Sequence, residues 1–293
     1  MEHKKLECCP ICNSSQQKTK MIVRDHMITQ EEFELTSCGE CGFLFTNPIP
    51  NEDKIGNYYK SEEYISHSSN KKGVINKLYN LVRSYTLNQK TKLLGKLSVG
   101  KELLDIGAGT GHFLNACRVK GYNVLGLEPD DQARMFAKEN FDLELKALDY
   151  LGQVEANSKD LITMWHVLEH VYHLQRDAHK IVDCLKEDGK WIIAVPNHES
   201  FDAQYYGVNW AAYDVPRHLY HFRKRDIENL AESCGMKLEK VLPMKFDSFY
   251  VSMLSEKYIK GSFFKALMVG WKSNLKAKKY GYSSQIYVLA KKN

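Results

Sequence analysis

Three groups of residues in this 293-residue chain have the types and spacing that chemistry needs. The first lies in Thr163–Tyr172, TMWHVLEHVY, where His166, Glu169 and His170 spell H-x-x-E-H. On a helix, positions i, i+3 and i+4 share one face, so two imidazoles and a carboxylate could converge on one reacting atom. Imidazole titrates near neutrality and can move a proton there. The same spelling marks one clan of zinc peptidases, but that chemistry needs a further distant ligand and leaves the rest of the chain unexplained. A solvated helix start is the plain alternative, since most polar side chains sit in water.

The second group is Cys9-Pro-Ile-Cys12 and Cys38-Gly-Glu-Cys41, two C-x₂-C pairs with 25 residues between them. Paired in this way, Cys9, Cys12, Cys38 and Cys41 read as a tetrahedral zinc site with no open position, hence structural rather than catalytic. The short apolar runs between the pairs suit small strands that bound metal would stabilise. The third group is KELLDIGAGTG, Lys101–Gly111, in which Asp105 stands two residues before the first of three alternating glycines. Glu128 follows Gly107 by about 20 positions, as in nucleotide-binding βαβ units. Glycines let backbone approach a ligand, and a carboxylate at the end of a second strand can accept from ribose hydroxyls. A dinucleotide fingerprint would read G-x-G-x-x-G, whereas here His112 follows Gly111; an acid at position 105 suits a cationic ligand better than a pyrophosphate.

These residues need elements to hold them. ELLDI, YNVLGLE, the LELKA segment, DLITMWH, KWIIAVPN, MKLEKVLPM and QIYVLAKK read as strands, and HFLNACRVKG, Leu174–Lys186 and Arg225–Ser233 as helices. Strands alternating with helices predict a doubly wound α/β sheet, whose ligands bind at the carboxyl ends of the strands.

DIGAGTG followed by LEPD resembles class I S-adenosylmethionine-dependent methyltransferases. That resemblance implies a Rossmann-like seven-stranded sheet with the last strand inserted antiparallel, and S-adenosyl-L-methionine as cofactor. The cofactor set it implies is Asp105, Gly107, Ala108, Gly109, Gly111, Glu128, Pro129, Met164 and Trp165, with Asp149 after LELKA as a partner for the adenine amino group. CPIC, CGECGFLFTNPIP, YYKSEEY, HVLEHV, VPN and VPRHLYHF together resemble a bacterial subfamily with a zinc-binding front segment, whose relatives modify deoxysugars or act in surface-polysaccharide clusters. In its sugar C-methylating relatives the Glu-His pair after strand four does acid/base work, which maps to Glu169 and His170. Those relatives carry a further large C-terminal domain that this chain is too short to contain. The L-E-H run also resembles quinone-biosynthesis O-methyltransferases, where acidic and histidine residues can hold a divalent ion.

The expected organisation is a zinc-ribbon-like module over residues 1–50, a bridge over 51–74, and a methyltransferase domain over 75–293 with an insertion at 244–282. His166, Glu169, His170 and His218 are the catalytic candidates. Arg217 and His221 share the Pro-led loop DVPRHLYHF and are substrate candidates, Arg217 as a fork for phosphate or carboxylate; a structural network holding the loop is the equal alternative. Tyr58, Tyr59 and Tyr64 of the bridge could pack on the core or line the pocket. The insertion, aromatic then basic, reads as a lid helix or as a surface that meets membrane or a lipid-linked substrate. The expected activity is methyl transfer to oxygen or carbon of a small molecule: a sugar, a sugar nucleotide or a quinone-like intermediate. The alternatives are an RNA methyltransferase gripping RNA through the ribbon and a non-catalytic zinc-ribbon interaction protein. A net charge of +5 is too modest to favour nucleic acid. MEHKKLECCP has no apolar h-region and no apolar run reaches the length of a spanning helix, so a cytoplasmic location is expected. The sequence does not specify an oligomer.

Overall fold

The structure, a computed structural model, describes residues 3–59, 74–97 and 100–292; Tyr64 lies outside them. Its strands in chain order are β1 (His3–Lys4), β2 (Gln17–Arg24), β3 (Glu32–Cys38), β4 (Leu44–Thr46), β5 (Ile49–Pro50), β6 (Glu102–Ile106), β7 (Asn123–Leu127), β8 (Lys159–Trp165), β9 (Leu185–Pro196), β10 (Tyr220–His221), β11 (Met236–Pro243) and β12 (Ser284–Lys291). Six of them form the central sheet in the order β11-β12-β9-β8-β6-β7. The runs LLDI, LITM and IIAV are buried along their whole length, which is why they read as continuous apolar strands rather than alternating ones. β6 pairs in parallel with β7 and β8, β8 with β9, and β12 runs antiparallel to both β9 and β11. The expected antiparallel insertion of the last strand is therefore present.

The expected count of seven strands is corrected to six. LELKA does not extend; it joins the edge through one parallel bridge, Leu127↔Lys146, flanked by two backbone bonds, Glu128 N–H to the Lys146 carbonyl at 2.8 Å and Lys146 N–H to the Gly126 carbonyl at 2.9 Å. It has a neighbour on one side only, and Leu143 and Leu145 are drawn into the core beside Leu114 and Ala137. The stretch is held by packing rather than by a ladder.

The N-terminal segment builds a second sheet, β10-β4-β3-β2. Its edge strand comes from the far end of the chain: Tyr220 and His221 pair with Phe45 and Leu44. Phe43, Phe45, Tyr220 and Phe222 then form an aromatic cluster in the same core as Trp191 and Ile193 of the central sheet. Gln175 donates to the carbonyls of Pro10 and Ile11, and Arg223 to that of Cys41. Residues 3–50 are thus anchored through main-chain pairing to the segment that carries VPRHLYHF. The insertion folds as two packed helices, Asp247–Tyr258 and Phe263–Tyr280.

Candidate active site

β6 ends at Ile106, and the chain turns over GAGTG into the helix His112–Val119. Gly107 and Gly111 sit at φ +75° and +77°, and a Cβ on Gly107 would stand 2.3 Å from Val167. Gly109, at φ +54°, faces open space with no atom within 4 Å of an added Cβ. Its N–H donates to Glu128 Oε2 at 2.7 Å, while Glu128 Oε1 accepts from Asp130 N–H at 3.0 Å. Burial pushes the Glu128 carboxyl up from its ordinary range against these two donors. Asp105 is buried and accepts from Thr163 Oγ1 at 2.6 Å. Burial raises its pKa, while the Lys90 ammonium opposes the rise. Lys90 lies 4.0 Å above the Trp165 ring. Met164 is buried in β8; Pro129 and Asp149 are exposed beyond the strand ends, Asp149 in a 3₁₀ turn rather than after a strand.

HVLEH is not a regular helix. His166 takes φ +57°, a left-handed conformation that costs a non-glycine residue roughly 1–2 kcal/mol, and its N–H donates to the Ala194 carbonyl. Leu168–His170 is a single 3₁₀ turn. The strained residue swings its imidazole between two carboxylates, with Nε2 3.1 Å from Asp247 and Nδ1 3.5 Å from Glu169. Burial opposes its charge, but Asp247 and Glu169 outweigh burial and hold the imidazole up at about 10. Glu169 is fully buried, and neither oxygen has a hydrogen-bond donor in good geometry. Burial works against its ionisation, yet the opposing interactions, that with His166 foremost, lower its pKa. His170 moves the other way: burial and the neighbouring His218 push it down to about 4.

His218 and His170 meet edge to face, with centroids 4.7 Å apart. His218 Nδ1 lies 2.9 Å from the Ala212 carbonyl and His170 Nδ1 2.9 Å from the Arg217 carbonyl. A carbonyl only accepts, which places a proton on Nδ1 of each ring and turns each Nε2 toward the Glu169 side of the cluster. His218 Nε2 is 4.0 Å from Glu169 Oε1. Glu169, His170 and His218 thus each bring one ligand atom within 4.8 Å of the others, a donor set suited to a divalent cation. Tyr59 Oη stands 3.0 Å from His170 Nδ1, whereas Tyr58 is buried with its hydroxyl donating to Glu31. A cavity of about 440 Å³ opens beside Asp247, lined by Tyr85, Lys90, Met244 and Phe246.

Two expected substrate residues are elsewhere. Arg217 is buried at 1% exposure, donating to Asp25, to Asp214 and to the Tyr58 carbonyl. Each of its three nitrogens already donates within the protein, so the fork grips the protein and not a ligand. His221 is buried in β10, 3.2 Å from Thr46 Oγ1; it belongs to the seam between the sheets. Asp247, Lys90 and Thr163 join the site without having been singled out. Asp247 had one legible sign, its place as the first of only two acids in a segment with eight lysines.

The four cysteines converge too. Cys9 and Cys41 Sγ lie 3.6 Å apart, Cys12 and Cys38 3.4 Å, close to the edge of about 3.8 Å in a tetrahedron of Zn–S bonds of about 2.3 Å.

Residues 79–241 match the family model described as a methyltransferase domain. The chain belongs to that family. It is therefore a methyltransferase, an enzyme that uses S-adenosylmethionine. The ubiquinone biosynthesis O-methyltransferase of Nitrosococcus oceani is 26% identical over 161 residues, 50% of this chain and 68% of that protein. The mitochondrial enzyme of that name from Bos taurus is 25% identical over 192 residues, 58% of this chain but only 49% of its own length. The crystal structure of magnesium protoporphyrin IX methyltransferase from Synechocystis PCC 6803 shares the fold with a TM-score of 0.53 at 13% identity, covering 83% of this chain and all of that one. A SAM-dependent methyltransferase from Archaeoglobus fulgidus gives 0.50 at 18%, covering 72% and 94%. The glycine loop of this methyltransferase fits the cofactor on its own geometry: the open side of Gly109, the Glu128 carboxylate beneath it and buried Asp105 form a cradle that a side chain at 109 would fill.

Proposed function

We propose that this methyltransferase methylates a hydroxyl of a small, quinone-like aromatic acceptor, with His218 as the base and Glu169 as its counter-ion. The observation that carries this reading is the place of His218 Nε2, 4.0 Å from the fully buried Glu169 carboxylate, neither of whose oxygens has a donor in good hydrogen-bond geometry. When bound, S-adenosylmethionine supplies an electrophilic methyl group on a sulfonium, and Glu128, Asp105 and the 107–111 loop would hold it. His218 takes the hydroxyl proton on Nε2, which frees an oxygen lone pair for in-line attack. Glu169 then stabilises the imidazolium, by about 4 kcal/mol at 4 Å for an effective dielectric near 20. His170, held neutral, positions rather than titrates. His166 already carries its proton and keeps Glu169 ionised. The names of the ubiquinone-biosynthesis relatives support the acceptor class.

The unpartnered Glu169 oxygens favour one second reading, in which Glu169, His170 and His218 hold a divalent cation. The four thiols are proposed as a structural zinc site. A labelled-methyl assay with catechols and with sugar nucleotides tests the acceptor class. Label on a phenolic oxygen supports the reading; label on sugar carbon alone, or none while the cofactor binds, overturns it. Metal analysis of the purified protein separates the variants: one metal per chain, lost on Cys12→Ser, leaves the acid/base reading, whereas a second ion lost on His218→Ala favours the cation.

A further inference from the structure

The helix Phe263–Tyr280 faces the wrong way for a buried element. Ala266, Val269, Gly270, Ser273 and Ala277 are its buried residues, and a Cβ on Gly270 would lie 2.8 Å from the Phe249 ring. Small residues thus make the contact with the helix Asp247–Tyr258. The large apolar residues point outward: Phe264 is 80% exposed, Leu275 63%, Trp271 56% and Met268 44%. Positions 264, 268, 271 and 275 are spaced i, i+4, i+7 and i+11, a single stripe along the helix. Phe246 and Tyr250, at the head of the neighbouring helix, are half exposed as well.

The charge around this stripe has one sign. Residues 244–282 contain eight lysines and two acids. Asp247 is turned to His166, and Glu256 is buried, accepting from Ser262 N–H and the Tyr206 hydroxyl. Lys245, Lys257, Lys260, Lys272, Lys276, Lys278 and Lys279 are exposed. A second copy of the chain seated on this stripe would bring lysine against lysine. An anionic lipid surface instead complements the lysines and accepts Trp and Phe at its headgroup level. No helix among the described residues is long and apolar enough to cross a membrane, so the geometry is that of an element lying on the bilayer. We infer that the outer face of the helix Phe263–Tyr280 docks this enzyme on anionic membranes. The docked face would be close to the site, because Asp247 at the base of the same hairpin bonds to His166.

Co-sedimentation of the full chain with phosphatidylcholine vesicles, with and without phosphatidylglycerol, tests this. The wild type is expected to pellet with the anionic vesicles and to release as salt is raised. Phe264→Ser with Trp271→Ser should lower the partition coefficient by roughly tenfold or more, and Lys272→Gln with Lys276→Gln by about fivefold per lysine. Both pairs are exposed, so the melting transition and S-adenosylmethionine affinity should stay at wild-type values. A wild type that remains in the supernatant with both vesicle types overturns the inference. So does a Ser variant that pellets like the wild type, or light scattering showing a dimer that the Ser variant converts to monomer. A wild type that pellets with the anionic vesicles but transfers no methyl to a catechol would count against the acceptor reading and leave the docking surface intact.

Discussion

Replacing Arg217 by Met separates a lock from a ligand clamp. In the structure Arg217 Nη2 donates to Asp25 Oδ1 at 2.9 Å and to Asp214 Oδ1 at 2.7 Å, and Nη1 to the Tyr58 carbonyl at 2.9 Å. The partners lie 192, 3 and 159 residues away in sequence, so one guanidinium ties the N-terminal sheet and the bridge to the VPRHLYHF loop. Methionine keeps much of the volume, and the loss is then mainly charge and hydrogen bonding. Removing one partner of a buried ion pair costs about 3–5 kcal/mol. Asp25 keeps four other donors, the N–H groups of Met27, Ile28 and Thr29 and the Thr29 hydroxyl, which places the expected loss near the lower end, about 3 kcal/mol.

Urea denaturation measures the loss, and acceptor KM is read on the same preparations. Stability should fall by that amount, and Asp25→Asn added to Arg217→Met should recover part of it, because the stranded charge is removed. The pH dependence has a definite sign. Arg217 and the Thr29 donors hold the Asp25 carboxyl below its ordinary value despite burial, so its contribution is present above the unfolded pKa of about 3.9 and is lost as pH falls through the folded one. The gap between wild type and variant should therefore narrow in acid. An unchanged urea midpoint with a raised acceptor KM would refute the lock and restore the clamp.

Glu128→Ala should weaken S-adenosylmethionine binding at least tenfold by calorimetry with an unchanged melting transition, because Glu128 is the carboxylate beneath Gly109; wild-type affinity would remove it from the cofactor site. Glu169→Gln should lower kcat by roughly two orders of magnitude, within the range for an acid/base partner, while leaving cofactor affinity near wild type, and equal turnover would return the cluster to a structural role. His166, held up at about 10, gives stability that is full below its ordinary pKa of about 6.5 and declines as pH rises through about 10; His166→Asn should flatten that decline in a melting series. Chelator treatment, or Cys12→Ser, should lower the melting temperature of the whole chain in one transition, because Arg223 and Gln175 couple the knuckles to the central core; loss of the N-terminal sheet alone in a separate early transition would contradict that coupling.

What could be read from sequence follows the range of the interactions involved. The glycine loop and Glu128 were legible because one βαβ unit builds them, and their spacing is set by a strand, a turn and a helix that are contiguous in the chain. The cysteine pairs were legible for the same reason, each knuckle being a local turn whose partner is identical in kind. LELKA alternates like a strand, but whether it pairs depends on its place at an open edge. Arg217 shows the limit more sharply. A cation in a Pro-led loop beside two histidines has the look of a ligand grip, and nothing within a dozen residues reveals that Asp25 will meet it.

The His166–His170 segment joins both cases. Its residue types announced acid/base chemistry, yet the helical spacing that made the trio look convergent is not what brings them together. His166 leaves the helical region altogether, and its imidazole is caught between Glu169 and Asp247, a residue 81 positions beyond it in sequence. The second imidazole beside Glu169 is that of His218, supplied by the same loop that Arg217 locks in place. The lock and the base are neighbours in one short loop, so Arg217→Met should also lower kcat, by loosening the Ala212–His218 bond that assigns the His218 tautomer. A variant that loses stability but keeps full turnover at temperatures well below its melting transition would show that the loop holds His218 without the lock.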